Sequence, residues 1–439
     1  MTRLWVHTLG CKVNQYEGEG IADRAASCGA TPASDPAEAD VIVLNTCAVT
    51  RTADLEAGQL ARRYRRANPR AVIVLTGCYA QIGAAEASAL PVDYVIGHGG
   101  KDALPREIGA LAARGRRRSP EVRTRPVYRD RRLPVLSPDG GPAPPRTRRL
   151  VKVQDGCDVF CSFCIVPHAR GLPRSAPAEG ILAEIARHAG GGVREIVLTG
   201  PHIGSWGRDL APAQTLAELL FRVRRAGGIA RVRLSSMEPS EFDDGVINEI
   251  ASHPDVFCEH VHIPLQSGSD AVLKRMRRPY DVARFCGLVD RFAGALPAVG
   301  IGTDVIAGFP GETDADFEET MAVLEASPVS FFHVFPFSPR PGTPAAKYSG
   351  ALPAETIRER AARLRALGER KTLAFYGRFK SETLEVLLEK SLGEGVYRGY
   401  SRNYIPVEVT GDALGANRPV RVKIEGVDAA GRVRGRAVA

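Results

Sequence analysis

Short apolar runs and stretches of helical periodicity alternate along the first hundred residues. Runs at 5–9, 41–44, 72–75 and 94–96 have the length and β-branched content of strands, and 17–28, 53–66 and 80–89 carry apolar residues at helical spacing. That alternation predicts a parallel sheet covered by helices. Each strand ends in Gly, Asn-Thr or Thr-Gly, and Cys11, Cys47 and Cys78 follow three of those ends. The carboxyl ends of strands in an open α/β sheet form its ligand crevice, so the three thiols are expected to converge there.

The pattern breaks over 114–149, where seven prolines sit among many arginines, as in a linker. It resumes with strands expected at 150–153, 195–199, 231–235, 260–263, 303–306 and 331–335. Helices fit between them at 177–188, 215–225, 270–277, 282–295 and 314–326. Six βα units predict a partial (βα)6 barrel. A long helix over 353–375 follows, then β-rich segments at 383–388, 395–400, 404–410 and 420–426 that read as a small β-barrel. The expected organisation is an α/β chain with an open α/β domain (1–113), a linker (114–149), a partial barrel (150–377) and a terminal β-barrel (378–439).

Length and composition agree. The 439 residues suit about three domains, and 44% apolar with 25% charged residues excludes wholesale disorder. No uncharged apolar run reaches the ~18 residues of a bilayer span, and the first twelve residues lack a signal-peptide core. A soluble, cytoplasmic protein with no membrane partner is expected.

Charge is uneven. Residues 101–150 hold 13 Arg and one Lys against five acids, a local +9 equal to the net charge of the whole chain. Such a stretch suits a polyanion such as nucleic acid, and equally a solvated Arg-rich linker. In the terminal barrel Tyr397, Tyr400 and Tyr404 alternate with Arg398 and Arg402. Aromatics beside arginines are what small barrels use on nucleic acid, which makes Arg398, Tyr400, Arg402 and Tyr404 candidate RNA contacts.

Nine cysteines in a cytosolic chain are not a disulfide scaffold. Cys157, Cys161 and Cys164 form a C-x3-C-x2-C run after a strand, able to wrap three thiolates around an iron–sulfur cluster and leave one iron open. Zinc is the weaker reading, because structural zinc needs a fourth ligand and only His168 lies near.

The C-x3-C-x2-C spacing resembles that of the radical S-adenosylmethionine enzymes. The resemblance implies a [4Fe-4S] cluster whose open iron chelates S-adenosylmethionine, one-electron cleavage of the sulfonium, and a 5′-deoxyadenosyl radical. It places Phe163 near the adenine. Thr8-Leu-Gly-Cys11-Lys-Val-Asn-Gln-Tyr-Glu17, Asn45-Thr-Cys47-Ala-Val-Thr50 and Thr76-Gly-Cys78-Tyr-Ala-Gln81 resemble the three cysteine motifs of the methylthiotransferases. Leu234-Ser-Ser-Met-Glu-Pro239, His262-Ile-Pro-Leu-Gln-Ser-Gly-Ser269, Gly308-Phe-Pro-Gly-Glu-Thr313 and Phe337-Ser-Pro-Arg-Pro-Gly-Thr343 are similar to barrel motifs of the same family. By that resemblance the terminal barrel is a TRAM domain for RNA, and Cys11, Cys47 and Cys78 hold a second [4Fe-4S] cluster that delivers sulfur. One S-adenosylmethionine methylates that sulfur and a second is the radical source. An electron donor of flavodoxin or ferredoxin type and a sulfur source are implied as well. Ser235, Ser236, Glu238, Gln266 and Asp304 lie at or just past expected strand ends, where barrel enzymes place ligand contacts, and are candidate S-adenosylmethionine contacts.

The Cys11-Lys-Val-Asn string resembles the branch acting on N6-threonylcarbamoyladenosine at tRNA position 37. The isopentenyladenosine branch typically has Gln-Met-Asn there, and the branch modifying a ribosomal protein has Pro-Lys-Asn. Two positions depart from the expected Asn: His202 in Leu198-Thr-Gly-Pro-His-Ile-Gly-Ser205, and His98 in Val95-Ile-Gly-His-Gly-Gly-Lys101. An iron–sulfur RNA-binding protein without transferase activity is the reading from another class, and the barrel motifs argue against it.

Overall fold

The computed structural model describes residues 1–128, 130, 133 and 147–438. Among the described residues the N-terminal domain is a parallel six-stranded sheet in the order Thr31–Pro32, Arg3–Thr8, Val41–Thr46, Val72–Gly77, Tyr94–Ile96, Glu121–Arg123. The central strands Val41–Thr46 and Val72–Gly77 are buried at every position, as a parallel strand covered on both faces must be. Chain direction across the sheet reverses between Arg3–Thr8 and Val41–Thr46. That switch point opens a crevice at the carboxyl ends of the two strands, and Cys11 and Cys47 flank it.

Residues 121–123 were expected in the linker, yet they pair with Tyr94–Ile96 as the last strand of this sheet. The pairing holds because Arg123 bonds Glu107 and Glu121 and lies over the ring of Tyr94. Several charges of the basic segment are thus spent inside the protein. Of the remaining expected linker, 129, 131–132 and 134–146 lie outside the described residues.

Two parallel three-stranded sheets follow. One joins Arg148–Lys152, Glu195–Thr199 and Arg231–Leu234, the other His260–His262, Gly300–Ala307 and Phe331–Pro336. A parallel bridge from Val232 to Phe257 links them into one arc, the partial barrel expected. The outer helices begin where the sequence supplies caps: Thr215, Asp243, Asp281 and Thr313 each accept a backbone N–H of the first turn. Helix Asp244–Ser252, like Leu104–Arg114 in the first domain, was absent from the periodicity reading.

Helix Ala354–Gly377 leads into a closed barrel of five strands among the described residues: Thr383–Gly393, Val396–Ser401, Pro406–Thr410, Val433–Val438 and Pro419–Val427. Its core is Val386, Leu388, Val407, Val409 and Ile424, packed under Phe375 and Phe379. Strand Val433–Val438 closes the barrel and was missing from the sequence reading.

Two polar seams hold the three parts together. In the first, the fully buried Glu17 accepts from Lys101 of its own domain (2.6 Å) and from Lys152 (3.0 Å) and Arg170 (2.8 Å) of the partial barrel. Asp155 accepts from Lys152 (3.2 Å) and Arg170 (3.0 Å), and Arg170 also donates to Asn14 (2.6 Å). In the second, the terminal barrel caps the end of the partial barrel where strands begin. Arg148 pairs with Glu389 (2.5 Å), Arg231 and Arg233 share Glu195 (2.9 Å each), and Arg233 also donates to the carbonyl of Arg402 (3.0 Å).

Burial opposes ionisation of Glu17, but Arg170, Lys101 and Lys152 overcome it and hold the carboxyl well below the usual carboxylate range. Lys152 and Arg170 do the same for Asp155. Removing one charge from such a set strands the others without compensation. Glu17→Gln should therefore cost about 3–5 kcal/mol, read as a lower urea midpoint of the cluster-loaded protein. The contribution of the two carboxylates is complete above about pH 4 and is lost as pH falls through their depressed values. The variant should flatten that acid limb, and an unchanged midpoint and limb would contradict this account of the seam.

Candidate active site at the domain junction

Cys11 caps helix Lys12–Ser27, Cys47 follows strand Val41–Thr46, and Cys78 opens the short helix Cys78–Ile82. The glycines before two of them are required by geometry. Gly10 has φ +95°, and a Cβ there would meet the Cys47 Cβ at 2.5 Å and its Sγ at 2.8 Å. Gly77 has φ +96°, and a Cβ would meet the Thr46 carbonyl at 2.3 Å. Only glycine adopts that backbone at such close approach. The loops are pinned from below: Asn14 donates to the carbonyls of Leu9 and Thr46 (2.9 Å each), and Asn45 donates to the carbonyl of Asn14 (2.8 Å). Burial pushes the Cys47 thiol up, and the Cys78 thiol up to about 12, while Arg170 works the other way on both.

The second trio lies on the loop after Gln154–Asp155. The Cys157 N–H donates to the carbonyl of Gly171 (3.0 Å), and the Cys164 N–H to that of Cys161 (3.0 Å). Burial raises the Cys161 and Cys164 thiols. Arg278 donates to the Cys161 Sγ (2.9 Å), with its other nitrogens on Glu238 and on the Tyr280 hydroxyl (3.0 Å). Sequence reading missed Arg278; the signal was an Arg-Arg-Pro-Tyr turn after a helix, with Arg277 at φ +58°. His168, the candidate fourth zinc ligand, is instead bonded through Nδ1 to Tyr128 (2.5 Å).

A cavity of about 200 Å³ lies between the two domains. Phe163, Cys164, Gln266 and Asp304 line it from the barrel, and Val49 and Thr50, just past Cys47, line it from the N-terminal domain. Of the expected S-adenosylmethionine contacts, three are gathered there: Phe163, Gln266 and Asp304. Gln266 takes a left-handed backbone (φ +66°) while bonding its amide to the carbonyl of Asp304 (2.8 Å). Ser235 and Ser236 follow strand Arg231–Leu234, outside that lining, and the Ser235 hydroxyl is buried with no partner among the described residues. Glu238 is committed to Arg278, so it orients a donor to Cys161.

Asp304 divides this cavity from a second of about 480 Å³, where all three domains meet. Asp304 accepts from His262 Nε2 (2.9 Å) and His333 Nδ1 (3.2 Å), both of which line the larger cavity. Tyr400 and Tyr404 of the terminal barrel line it too, stacked 5.1 Å apart, with Arg148 over Tyr400 and Arg233 over Tyr404. These aromatics face the junction. Arg402 donates to the carbonyls of Ala230 (3.2 Å) and Phe257 (3.3 Å), a docking role, so its guanidinium is occupied where an RNA contact was expected. Arg398 remains half-exposed beside Glu408.

The two departures are also placed. His98 is buried beside the Glu17 seam and is held neutral, first by burial and then by Lys101 and Arg170. Burial opposes protonation of His202, but bonding to Cys157 and Glu241 overcomes this and raises it to about 10.

The Radical SAM superfamily profile matches residues 151–324, and that of the Uncharacterized protein family UPF0004 matches residues 3–97. The threonylcarbamoyladenosine tRNA methylthiotransferase MtaB of Bacillus subtilis (strain 168) is 38% identical, with 97% of this chain and 94% of the relative covered. The chain belongs to the radical S-adenosylmethionine methylthiotransferase family. MtaB of Thermotoga maritima is also 38% identical, over 96% of this chain and 95% of the relative. A tRNA-2-methylthio-N(6)-dimethylallyladenosine synthase of Parafrankia sp. is 39% identical, over 84% and 74%. Among solved structures, the radical S-adenosylmethionine methyltransferase TsrM of Kitasatospora setae, with cobalamin and a [4Fe-4S] cluster bound, superposes with a TM-score of 0.55 at 17% identity, over 79% of this chain and 77% of that one. That likeness concerns the fold alone.

Enzymes of this family use S-adenosylmethionine and two [4Fe-4S] clusters, and the residues here fit such groups. Two thiol trios, the donor set an iron–sulfur cluster takes, stand at the junction, and one cavity reaches both Cys164 and the residues just past Cys47. Hydrogen bonds to cluster sulfurs raise reduction potentials. Arg278→Met should therefore shift the potential of a cluster held by Cys157, Cys161 and Cys164 to more negative values and slow reductive cleavage of S-adenosylmethionine there. Spectroelectrochemistry at matched iron content checks this; an unmoved potential would leave Arg278 a packing residue.

Proposed function

We propose that this enzyme converts N6-threonylcarbamoyladenosine beside the tRNA anticodon, at position 37, to its 2-methylthio derivative. Cys157, Cys161 and Cys164 hold the cluster that receives S-adenosylmethionine, and Cys11, Cys47 and Cys78 hold the one that delivers sulfur. When bound, these groups supply the radical, the sulfur and the methyl group. The protein holds the two thiol loops on opposite walls of one cavity and admits the nucleoside from the larger cavity beside it. The observation that carries this reading is the shared cavity that reaches both Cys164 and the residues just past Cys47.

Identity alone does not choose the substrate, since relatives named for threonylcarbamoyladenosine and for dimethylallyladenosine are 38% and 39% identical. Coverage of 97% against 84% and the Lys-Val-Asn string after Cys11 favour the first. Half-exposed Arg398 and the Arg-rich segment 114–149 serve RNA phosphate, so tRNA affinity should fall as salt rises. A flavodoxin- or ferredoxin-like donor supplies electrons in the cytoplasm, and a separate sulfur source restores the second cluster.

Two outcomes test this. Mass spectrometry of tRNA nucleosides from cells lacking the gene should show loss of 2-methylthio-threonylcarbamoyladenosine with its precursor accumulating. Loss of only the isopentenyladenosine product would move the chain to the other tRNA branch, and an unchanged tRNA profile would point to a ribosomal protein. In the purified protein, Cys78→Ser should lose about half of the iron and all methylthiolation while still cleaving S-adenosylmethionine. Cys164→Ser should lose both activities. If Cys78→Ser kept full iron, the assignment of the second trio would fail.

A further inference from the structure

The larger cavity has an unusual balance of charge. Its arginines are each answered by a carboxylate: Arg148 by Glu389 (2.5 Å), Arg149 by Glu19 (3.1 Å) and Arg233 by Glu195 (2.9 Å). Asp304 at its edge accepts hydrogen bonds from His262 and His333. Lys12 is different. It lines the cavity, is exposed to it, and has no carboxylate or hydrogen-bond partner among the described residues. It is the residue directly after Cys11 and lies close enough to His260 to act on it electrostatically. His260 lines the same cavity, is 8% exposed, and its Nδ1 has no partner among the described residues. The site thus offers one uncompensated ammonium and one unsatisfied imidazole nitrogen beside a thiol of the sulfur-delivering trio.

The tRNA substrates proposed above differ in charge. An isopentenyl group on N6 is apolar, whereas a threonylcarbamoyl group ends in a carboxylate. Resting on the substrate reading given above, we propose that Lys12 is the receptor for the threonine carboxylate and so sets which N6-modified adenosine the enzyme accepts. A free ammonium in a partly enclosed cavity binds a carboxylate by a charge-assisted hydrogen bond. The same ammonium is a poor neighbour for an isopentenyl chain, which would strip its water and return nothing. Placing the receptor next to Cys11 ties recognition of the N6 substituent to the position of C2 on the same purine ring, where sulfur must arrive.

The test uses cluster-loaded enzyme and three anticodon stem-loop RNAs: one with threonylcarbamoyladenosine, one with its threonine methyl ester, and one with unmodified adenosine. Wild type should favour the acid over the ester by about 10- to 100-fold in kcat/KM, the worth of a hydrogen bond to a charged group. Lys12→Gln, compared at equal iron content, should lose that preference by weakening only on the acid, and Lys12→Arg should retain most of it. If Lys12→Gln keeps the wild-type preference, the receptor is elsewhere and the proposal falls. Equal weakening on all three RNAs would make Lys12 a phosphate contact, which also overturns it. If wild type modifies none of the three, the substrate reading itself fails along with the proposal, an outcome recognisable before any variant is made.

Discussion

The architecture of this enzyme depends on one buried anion. Glu17 sits with 1% of its side chain exposed, between a lysine from its own domain and a lysine and an arginine from the next. Alone, any of these charges would be prohibitively costly to bury. Together, with Asp155 and Asn14 also accepting from Arg170, they form a set whose members need one another. An apolar interface of equal size could have been as stable, but it would tolerate sliding. Directional hydrogen bonds fix the register between the domains, and register matters because each domain brings one thiol trio to the junction. Arg340, which is buried and pairs with Asp54 across the same boundary (2.6 Å), adds a second fixed point.

Much of this was legible in the sequence. Strands with continuous apolar runs were visible because burial on both faces leaves no alternative pattern, and the cysteines were visible because they follow strand ends. What stayed hidden was whatever depends on partners distant in the chain. Glu17 and Asn14 stand inside the Cys11 motif, yet no spacing announces that they face Arg170, over 150 positions away. Strand Glu121–Arg123 was masked by its arginine-rich setting, and its membership in the sheet is decided by Glu107 and Tyr94. The closing strand Val433–Val438 alternates Val, Gly and Ala with arginines, too weak a pattern to stand out until it pairs on both edges.

In the terminal barrel the interleaved tyrosines and arginines take different places. Tyrosines interleaved with arginines suggested nucleic-acid contacts. The structure turns Tyr400 and Tyr404 toward the shared cavity, and it spends Arg402 on backbone carbonyls of the central barrel. The aromatic–arginine stack is built, but across a domain boundary: Arg148 and Arg233 of the central barrel lie over the tyrosines of the terminal one. Stacked rings under paired guanidinium groups make a wall of the larger chamber.

Asp304 then explains why two chambers can share one junction. Its carboxylate is reached from the smaller cavity, while the two imidazoles that hold it, His262 and His333, line the larger one. Burial opposes its charge, but His262 and His333, both bonded to Oδ1, overcome this and hold the carboxyl well below the usual range, so the partition stays ionised at neutral pH. An ionised carboxylate held in place between the chambers repels other anions. A carboxylate-bearing nucleoside entering the larger cavity is therefore turned away from the Asp304 side and toward the uncompensated cation on the N-terminal wall, which is Lys12 beside Cys11. Orientation of the purine follows from an anion on one wall of the junction and a free cation on the other.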